Sequence, residues 1–484
     1  MTTARHETAL GAGRRALFTL GTLGSAGPGV TLVQLQPYFS KLGYPASIVS
    51  NIRFFSLFFD AVTDPLMGYI SDHTTSRFGR RMPYIALGSL LYAAGLIGMW
   101  WAPPRLTAGQ FYAYLIAMQV VFTIGVTMTG VPYQALIPEL AKEYAARTSL
   151  VSWMQAGTYL GSIWGGAVRA YANWRGDEIA GFREFAVYCS LAMIICYWLL
   201  VAFLKEPPMS PEQLASLRAA KAQMRAHVWS HFAGIGRSLR FALTDRRFLI
   251  LFLSVFTYQV GVLAGLWMYP YLLLDWFGGT WDTPFAQAYV PMLFRESYFL
   301  WIFFGITCGI AFLPFWNRLG KRYEKRTCLF WGILGVGGAY GVSYFVFAPK
   351  SFPLLIAYCL LLAFVYCPAN IYPVSMLADI ATHSEYETGE ANEGMFYGAW
   401  SFLVKLYNGV AVFWTGFALD HVVKYQPGDG VVQTAQTLHR MRLLYALPPL
   451  VMAVAAVCML RAYDLDRRRM AEIIAAIEQR KASC

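Results

Sequence analysis

The 484-residue chain is 57% hydrophobic and 14% charged, against roughly 25% charged residues in ordinary soluble domains, which excludes a single water-soluble core and makes lipid the solvent. A membrane-spanning helix takes about 20 mostly apolar residues, so this length accommodates about a dozen spans joined by short loops. The net charge of +12 does not point to nucleic acid, because the Lys and Arg residues flank apolar segments, and no nucleic-acid partner is expected.

The polar segment Met1 to Arg15 leads into a long apolar run with no small-residue cleavage site, so it is read as no cleaved signal peptide and the first span as its own targeting element. Apolar runs bounded by charge and proline predict spans at 16–40, 46–71, 83–103, 107–138, 148–172, 184–204, 248–273, 297–316, 327–348, 352–381, 394–420 and 442–461. The fold class is therefore all-α membrane protein with 12 transmembrane helices. Residues 205–247, with Pro207, Pro208, Pro211 and eight basic residues, read as a cytoplasmic linker between a first half, 1–204, and a second, 248–462. In the tail, 463–484, Met470, Ile473, Ile474 and Ile477 share one face, which predicts an amphipathic cytosolic helix lying on the membrane or on the protein.

Orientation follows from where the basic residues fall. With both termini cytoplasmic, the inner segments carry 27 of the 39 Lys and Arg and the outer segments 10, as the retention of basic residues on the cytoplasmic face requires. Arg77-Phe78-Gly79-Arg80-Arg81 after the second span is echoed by Arg318-Leu319-Gly320-Lys321-Arg322 after the eighth, the trace that two repeated six-helix halves would leave. In the fifth span Gly157, Gly161 and Gly165 form a stripe of small residues suited to close helix packing. The eight cysteines are scattered, with no CxxC pair, and indicate neither zinc nor a disulfide framework.

A charged side chain at mid-membrane costs at least about 2.5–3.5 kcal/mol and requires an explanation. Asp60 and Asp64 stand one turn apart on the second span, so both carboxylates share a face and repel unless a cation or proton neutralises them. Thr63, and Thr127 on the fourth span, would add hydroxyl oxygens, the ligand type hard cations prefer. A structural ion pair or a permanently protonated carboxylate is the plainer alternative. Lys405, midway along the eleventh span, is too deep to snorkel. Two carboxylates and one ammonium leave one negative charge, which a single monovalent cation cancels. Arg53, seven residues before Asp60, binds a substrate carboxylate, pairs with an acidic neighbour or snorkels outward; these remain open. None of the seven histidines lies deep in a span, which argues against a histidine proton relay.

The stretch Phe59-Asp60-Ala61-Val62-Thr63-Asp64-Pro65-Leu66-Met67-Gly68-Tyr69-Ile70-Ser71-Asp72, continued by Arg77, Gly79, Arg80 and Pro83, resembles the glycoside–pentoside–hexuronide cation symporters, the family of the melibiose carrier. The likeness continues in Val131-Pro132-Tyr133-Gln134-Ala135-Leu136-Ile137-Pro138, in Met376-Leu377-Ala378-Asp379-Ile380 with Glu385-Tyr386, and in Val404-Lys405. The resemblance implies the major facilitator fold in two six-helix halves. It also implies a sodium-type site at Asp60, Thr63, Asp64 and Thr127, with Lys405 nearby, and secondary active symport in a bacterial inner membrane. Where sugar-binding members carry an acid, a tryptophan and an arginine, this chain has Gly130, Gln134 and Gln155, so a galactoside-type sugar site is missing. The expected substrate is a sugar, glycoside or uronate-like solute, with a lysolipid or other amphiphile as the alternative suggested by animal lysophospholipid carriers. A membrane enzyme is not expected: the sequence shows no metal cluster, nucleophile motif or large soluble domain.

The solute is expected at mid-depth between the halves, lined by Arg53, Tyr133, Gln134, Gln155, Tyr372, Tyr397 and Trp400, since aromatic faces with a few polar groups suit polar organic ligands. The coupling ion is sodium, or a proton, with no other cofactor; a monomer is expected, with membrane lipid around it. At the cytoplasmic end, Asp379, Glu385, Glu387, Glu390 and Glu393 form an acidic patch facing, in the first half, Arg77, Arg80, Arg81 and Arg147. These predict a gate that closes when the site faces outward. Asp72 holds a gate arginine across the halves, or Arg77 or Arg80 within its own.

Overall fold

A computed structural model describes residues 11–72, 74, 76–103, 106–141, 144–204, 206, 236, 239–389 and 393–483, so most of the predicted linker, residues 205–247, lies outside the described part. The helices are α1 (Ala12–Thr31, prolonged by a 3-10 turn Leu32–Gln34 and a short helix Leu35–Lys41), α2 (Ala46–Asp72), α3 (Met82–Trp100), α4 (Ala108–Ala135), α5 (Tyr144–Gly166) and α6 (Glu178–Phe203). After the linker come α7 (Arg246–Tyr271), α8 (Ser297–Arg322), α9 (Lys325–Val346), α10 (Phe352–Thr388), α11 (Glu393–Phe417), α12 (Ala435–Leu460) and the tail helix α13 (Arg467–Ser483).

Each of the twelve predicted spans falls on helix, and among the described residues ten of the helices are long and apolar enough to cross a membrane. The other two are α2 and α5. At 27 and 23 residues they run about 40 Å and 34 Å at 1.5 Å per residue, enough for a bilayer. In α2, Arg53, Asp60 and Asp64 are the residues that interrupt the apolar run.

Polar caps set many of the boundaries. Thr107 and Gln110 form a capping box at the start of α4. Asp177, Asp245, Glu296 and Thr434 accept backbone N–H groups at the starts of α6, α7, α8 and α12, satisfying donors that lipid would leave bare. Asp420 does this at a distance in sequence: its two carboxylate oxygens accept from the N–H groups of Ala46, at 3.0 Å, and Ser47, at 2.9 Å, capping α2.

The chain forms two compact units, residues 1–39 with 52–232 and residues 40–51 with 233–484. In the first, α1 packs on α5 and α6, and α3 packs on α4 and α6. In the second, α7 packs on α11 and α12, and α9 packs on α10 and α12. Every one of these pairings recurs six helices later, so the repeat suspected from two short loops runs through the packing.

The glycine stripe of α5 is a close-packing surface against α1. A Cβ on Gly157 would sit 2.6 Å from Thr19, one on Gly161 2.4 Å from the Leu23 carbonyl oxygen, and one on Gly165 2.4 Å from the Gly27 carbonyl oxygen. With no hydrophobic drive between helices in lipid, such approach is what gains dispersion contacts. The tail helix settles between its two expectations by packing on α10, with Met470 and Ile473 buried.

Candidate functional site

The charged face of α2 meets α4 inside the first unit. Thr127, 3% exposed, donates its hydroxyl to Asp64 Oδ1 at 2.9 Å, and its oxygen lies 3.3 Å from that of Thr63. Thr63 in turn reaches the Phe59 carbonyl oxygen at 3.0 Å, one turn back along α2. Asp60 is the neighbouring carboxylate on the same face, four residues before Asp64. Pro65 adds an element that sequence reasoning passed over: it has no N–H to return to the Ala61 carbonyl, which places a backbone oxygen outside the helical ladder beside the two acids. Carboxylate, hydroxyl and carbonyl oxygens on adjoining helices are the donor set of a hard monovalent cation. Lys405 lies half-buried on α11, in the second unit.

The expected substrate-lining residues fall into two groups. Arg53 donates to the Leu32 carbonyl oxygen at 3.1 Å, where α1 changes to its 3-10 turn, which adds helix pinning to the roles left open for it. Tyr133 is buried, stacked on Phe18 with ring centroids 4.5 Å apart, its hydroxyl donated to the Phe18 carbonyl oxygen at 2.6 Å. Tyr372 is likewise buried and donates to the Trp316 carbonyl oxygen at 2.7 Å. Both hydroxyls are thus given to neighbouring carbonyls. Gln134, Gln155 and Tyr397 are exposed within their units, and Trp400 is half-buried with its ring edge-on to Phe248.

The charges expected at the cytoplasmic end pair inside each unit. Arg81, at the start of α3, reaches Asp72 and Glu139 at 2.9 Å each, and Arg80 also pairs with Glu139. Asp72 thus holds an arginine of its own half, Arg81, next to the Arg77 and Arg80 expected. Lys325, at the start of α9, reaches Asp379 on α10 at 2.7 Å. The base at the head of α3 and the acid beyond α4 therefore have counterparts at α9 and α10. Arg247 and His383 approach Glu387 at 3.8 Å and 3.5 Å. Arg77 is exposed and lies over the Phe78 ring, and Glu385 is half-buried. The side chains of Arg147 and Glu393, and residue Glu390, lie outside the described part.

Glu206, singled out by no motif, organises the first of these clusters: its carboxylate accepts from the backbone N–H groups of Arg80 and Arg81 at 2.9 Å and of Met82 at 3.0 Å. An anion there answers the positive end of α3. Gly79 makes the approach possible, with φ of 102° and a would-be Cβ 2.7 Å from the Glu206 carboxyl carbon. Its sequence echo, Gly320, serves otherwise: it lies within α8, where a Cβ would meet the Tyr372 hydroxyl at 2.5 Å.

Comparison with known proteins agrees with this layout. Residues 22–467 match the family model described as MFS/sugar transport protein. The putative glycoside/cation symporter YagG of Escherichia coli (strain K12) is 23% identical, over 92% of this chain and 90% of that protein. The sodium-dependent lysophosphatidylcholine symporter 1 of Gallus gallus is 22% identical, over 91% and 82%. Among solved structures, the xylose transporter XylE from E. coli in a partially occluded inward open conformation superposes with a TM-score of 0.56 at 15% identity, over 94% of this chain and 98% of that one, a likeness of fold. With a family model spanning nearly its whole length over twelve helices in repeated pairings, the chain belongs to the MFS/sugar transport proteins, in the melibiose-carrier-like symporter group, and is an integral membrane transporter.

Proposed function

We propose that the protein is a cation-coupled symporter that carries a small polar organic solute, of the sugar, glycoside or uronate type, by alternating access across a bacterial inner membrane. Asp60, Thr63, Asp64 and Thr127 hold the ion, sodium in preference to a proton. The observation that carries the reading is the oxygen cluster joining α2 to α4, in which Thr127 donates to Asp64 at 2.9 Å and lies 3.3 Å from Thr63. Lys405 completes the charge count: with both aspartates it leaves one negative charge, which one bound monovalent cation cancels. Gln134, Gln155, Arg53, Tyr397 and Trp400 supply polar and aromatic contacts to the solute, and Tyr133 and Tyr372 their ring faces. Both termini lie in the cytoplasm, and a monomer is the working unit.

The gate proposal gains a condition from the pairs within each unit. For Arg80, Arg81, Asp379 and Glu385 to close the cytoplasmic end, with Asp72, Arg77 and Arg147, some of those pairs must exchange partners. Arg81 is buried against Glu139, and a buried charge that loses its partner is costly, so the exchange must give Arg81 another acid as it leaves the first. A lysolipid or other amphiphile is the second reading, favoured by the likeness to the sodium-dependent lysophosphatidylcholine symporter 1 of Gallus gallus.

The test is uptake of candidate sugars, glycosides and uronates into membrane vesicles driven by a sodium gradient or by a pH gradient. Accumulation under either gradient, lost in Asp60→Asn, is expected. Accumulation under neither removes the symport reading, and full coupling in Asp60→Asn removes the site.

A further inference from the structure

Inside the second unit, α7, α8, α9 and α10 line a half-open cavity of about 250 Å³ whose walls include Val262, Leu266, Trp301, Gly305, Cys359 and Tyr366. The lining is mostly hydrocarbon, and Tyr340, which also borders it, gives its hydroxyl to the Val262 carbonyl oxygen at 3.2 Å. An apolar cavity of roughly 150 Å³ already takes a benzene and stays free of water. By proportion, 250 Å³ holds roughly ten carbons. One turn before Val262 on the same helix stands Gln259, 8% exposed, whose Oε1 accepts no hydrogen bond. Its amide approaches the hydroxyls of Tyr366, itself part of the cavity wall, and Tyr407. A buried carbonyl oxygen without a donor is costly, and this one stands next to Tyr366 of the chamber wall.

We infer that this chamber binds an alkyl or aryl group of about ten carbons on a molecule whose polar head donates a hydrogen bond to Gln259. The molecule is an amphiphile, either carried as substrate or resident as a membrane lipid. This deepens the transport reading, and rests on it only for whether the molecule crosses the membrane.

The probe is a series of n-alkyl β-glucosides from methyl to dodecyl, titrated at equilibrium, with no ion gradient, onto the full-length protein in lipid nanodiscs. Affinity should rise about fourfold per methylene and level off near ten carbons. The filling variant is Gly305→Leu, since Gly305 lines the chamber and a Cβ there meets nothing within 4 Å. It should flatten the series while leaving methyl glucoside binding unchanged. Gln259→Met, close in shape, should weaken every glucoside tenfold or more while keeping the slope with chain length. Exchange of labelled octyl glucoside across proteoliposomes identifies a carried amphiphile. An acyl lipid that co-purifies with the wild type and is lost from Gly305→Leu identifies a resident one. A chain-length series identical in wild type and Gly305→Leu, with no lipid lost, overturns the inference. Because binding is read without a gradient, its failure is separable from failure of cation coupling in vesicles.

Discussion

Thr127→Val isolates the oxygen cluster with little change of shape. The hydroxyl it deletes donates to Asp64 at 2.9 Å from a residue 3% exposed. A hydrogen bond to a charged group contributes about 1.5–3 kcal/mol, and each 1.4 kcal/mol is tenfold in affinity. The variant should therefore raise the half-saturating sodium concentration about ten- to a hundredfold. Purified protein in nanodiscs, titrated with sodium chloride at constant ionic strength made up with potassium chloride, reports this as a shift of the sodium dependence of the unfolding temperature, since a ligand that binds the native state stabilises it. Thr123→Val, one turn earlier on α4 and also buried, is the control: Thr123 accepts from Gln119 at 3.3 Å and should leave the midpoint where it is. Equal sodium midpoints in wild type and Thr127→Val would refute the placement of the ion at this cluster.

Three further outcomes follow from packing and charge. Gly161→Leu must push α1 and α5 apart, because a Cβ alone would lie 2.4 Å from the Leu23 carbonyl oxygen. A loss of about 1–3 kcal/mol, seen as a lower unfolding temperature with unchanged sodium midpoint, is expected, and an altered sodium midpoint at equal expression would place the stripe on the ion path. Glu206→Ala leaves three N–H groups at the head of α3 without their acceptor and should cost about 0.5–2 kcal/mol, the range of a lost helix cap; an unchanged denaturation midpoint would contradict it. At the tail, burial alone would raise the Asp464 carboxyl, but its hydrogen bond and charge pairing with Arg247, 2.8 Å away, hold it below the ordinary 3.8. Its contribution to docking is therefore full above about pH 4 and fades as pH falls, so a spin label at exposed Glu472 should gain mobility on acidification and, in Asp464→Asn, already be mobile at pH 7.

Helix existence was legible in the sequence because lipid enforces it. A run of about 20 apolar residues has no other way to satisfy its backbone, so all twelve spans appear as helices. The ends were less legible, because caps and breaks depend on partners distant in sequence. The run predicted at 148–172 divides at Gly166 into α5 and the short helix Val168–Arg175, and α10 continues to Thr388, past the predicted 381. The aspartates and threonines of the proposed ion site declared themselves by being polar where polarity is expensive. Glu206 and Gln259 did not. One acidic residue at a span end and one amide in a span are ordinary in sequence, and become significant through what stands opposite them: three N–H groups in one case, an apolar chamber in the other. The expected substrate residues show the same limit. Tyr133 and Tyr372 carry the right group, but whether a hydroxyl is open to a solute or given to a neighbouring carbonyl is decided in three dimensions.

The division of chemistry between the repeats gives a reason for the asymmetry of the sequence. Equivalent helix pairings in both units provide the scaffold, and equivalent charge pairs, Arg81 with Glu139 and Lys325 with Asp379, join the heads of α3 and α9 to the ends of the helices that follow them. What the repeat does not share is the interior. The first unit places two carboxylates and two hydroxyls on α2 and α4. The second carries no acid at the α8 positions six helices on from Asp60 and Asp64, where apolar and small residues such as Ile306 and Gly305 line a chamber. A cation needs oxygens fixed on rigid neighbours, whereas an apolar group needs volume and dry walls, and one helix pair cannot supply both. Duplicated halves allow each to be built separately on the same scaffold. Substitutions in the α2–α4 cluster should then shift ion affinity, and those in the α7–α10 chamber should shift chain-length preference, with little effect of either on the other's binding constant when measured without the second ligand. Double-mutant cycles between Thr127→Val and Gly305→Leu test this: additive free energies in single-ligand binding support separate construction, and strong non-additivity there would show that the two interiors form one site.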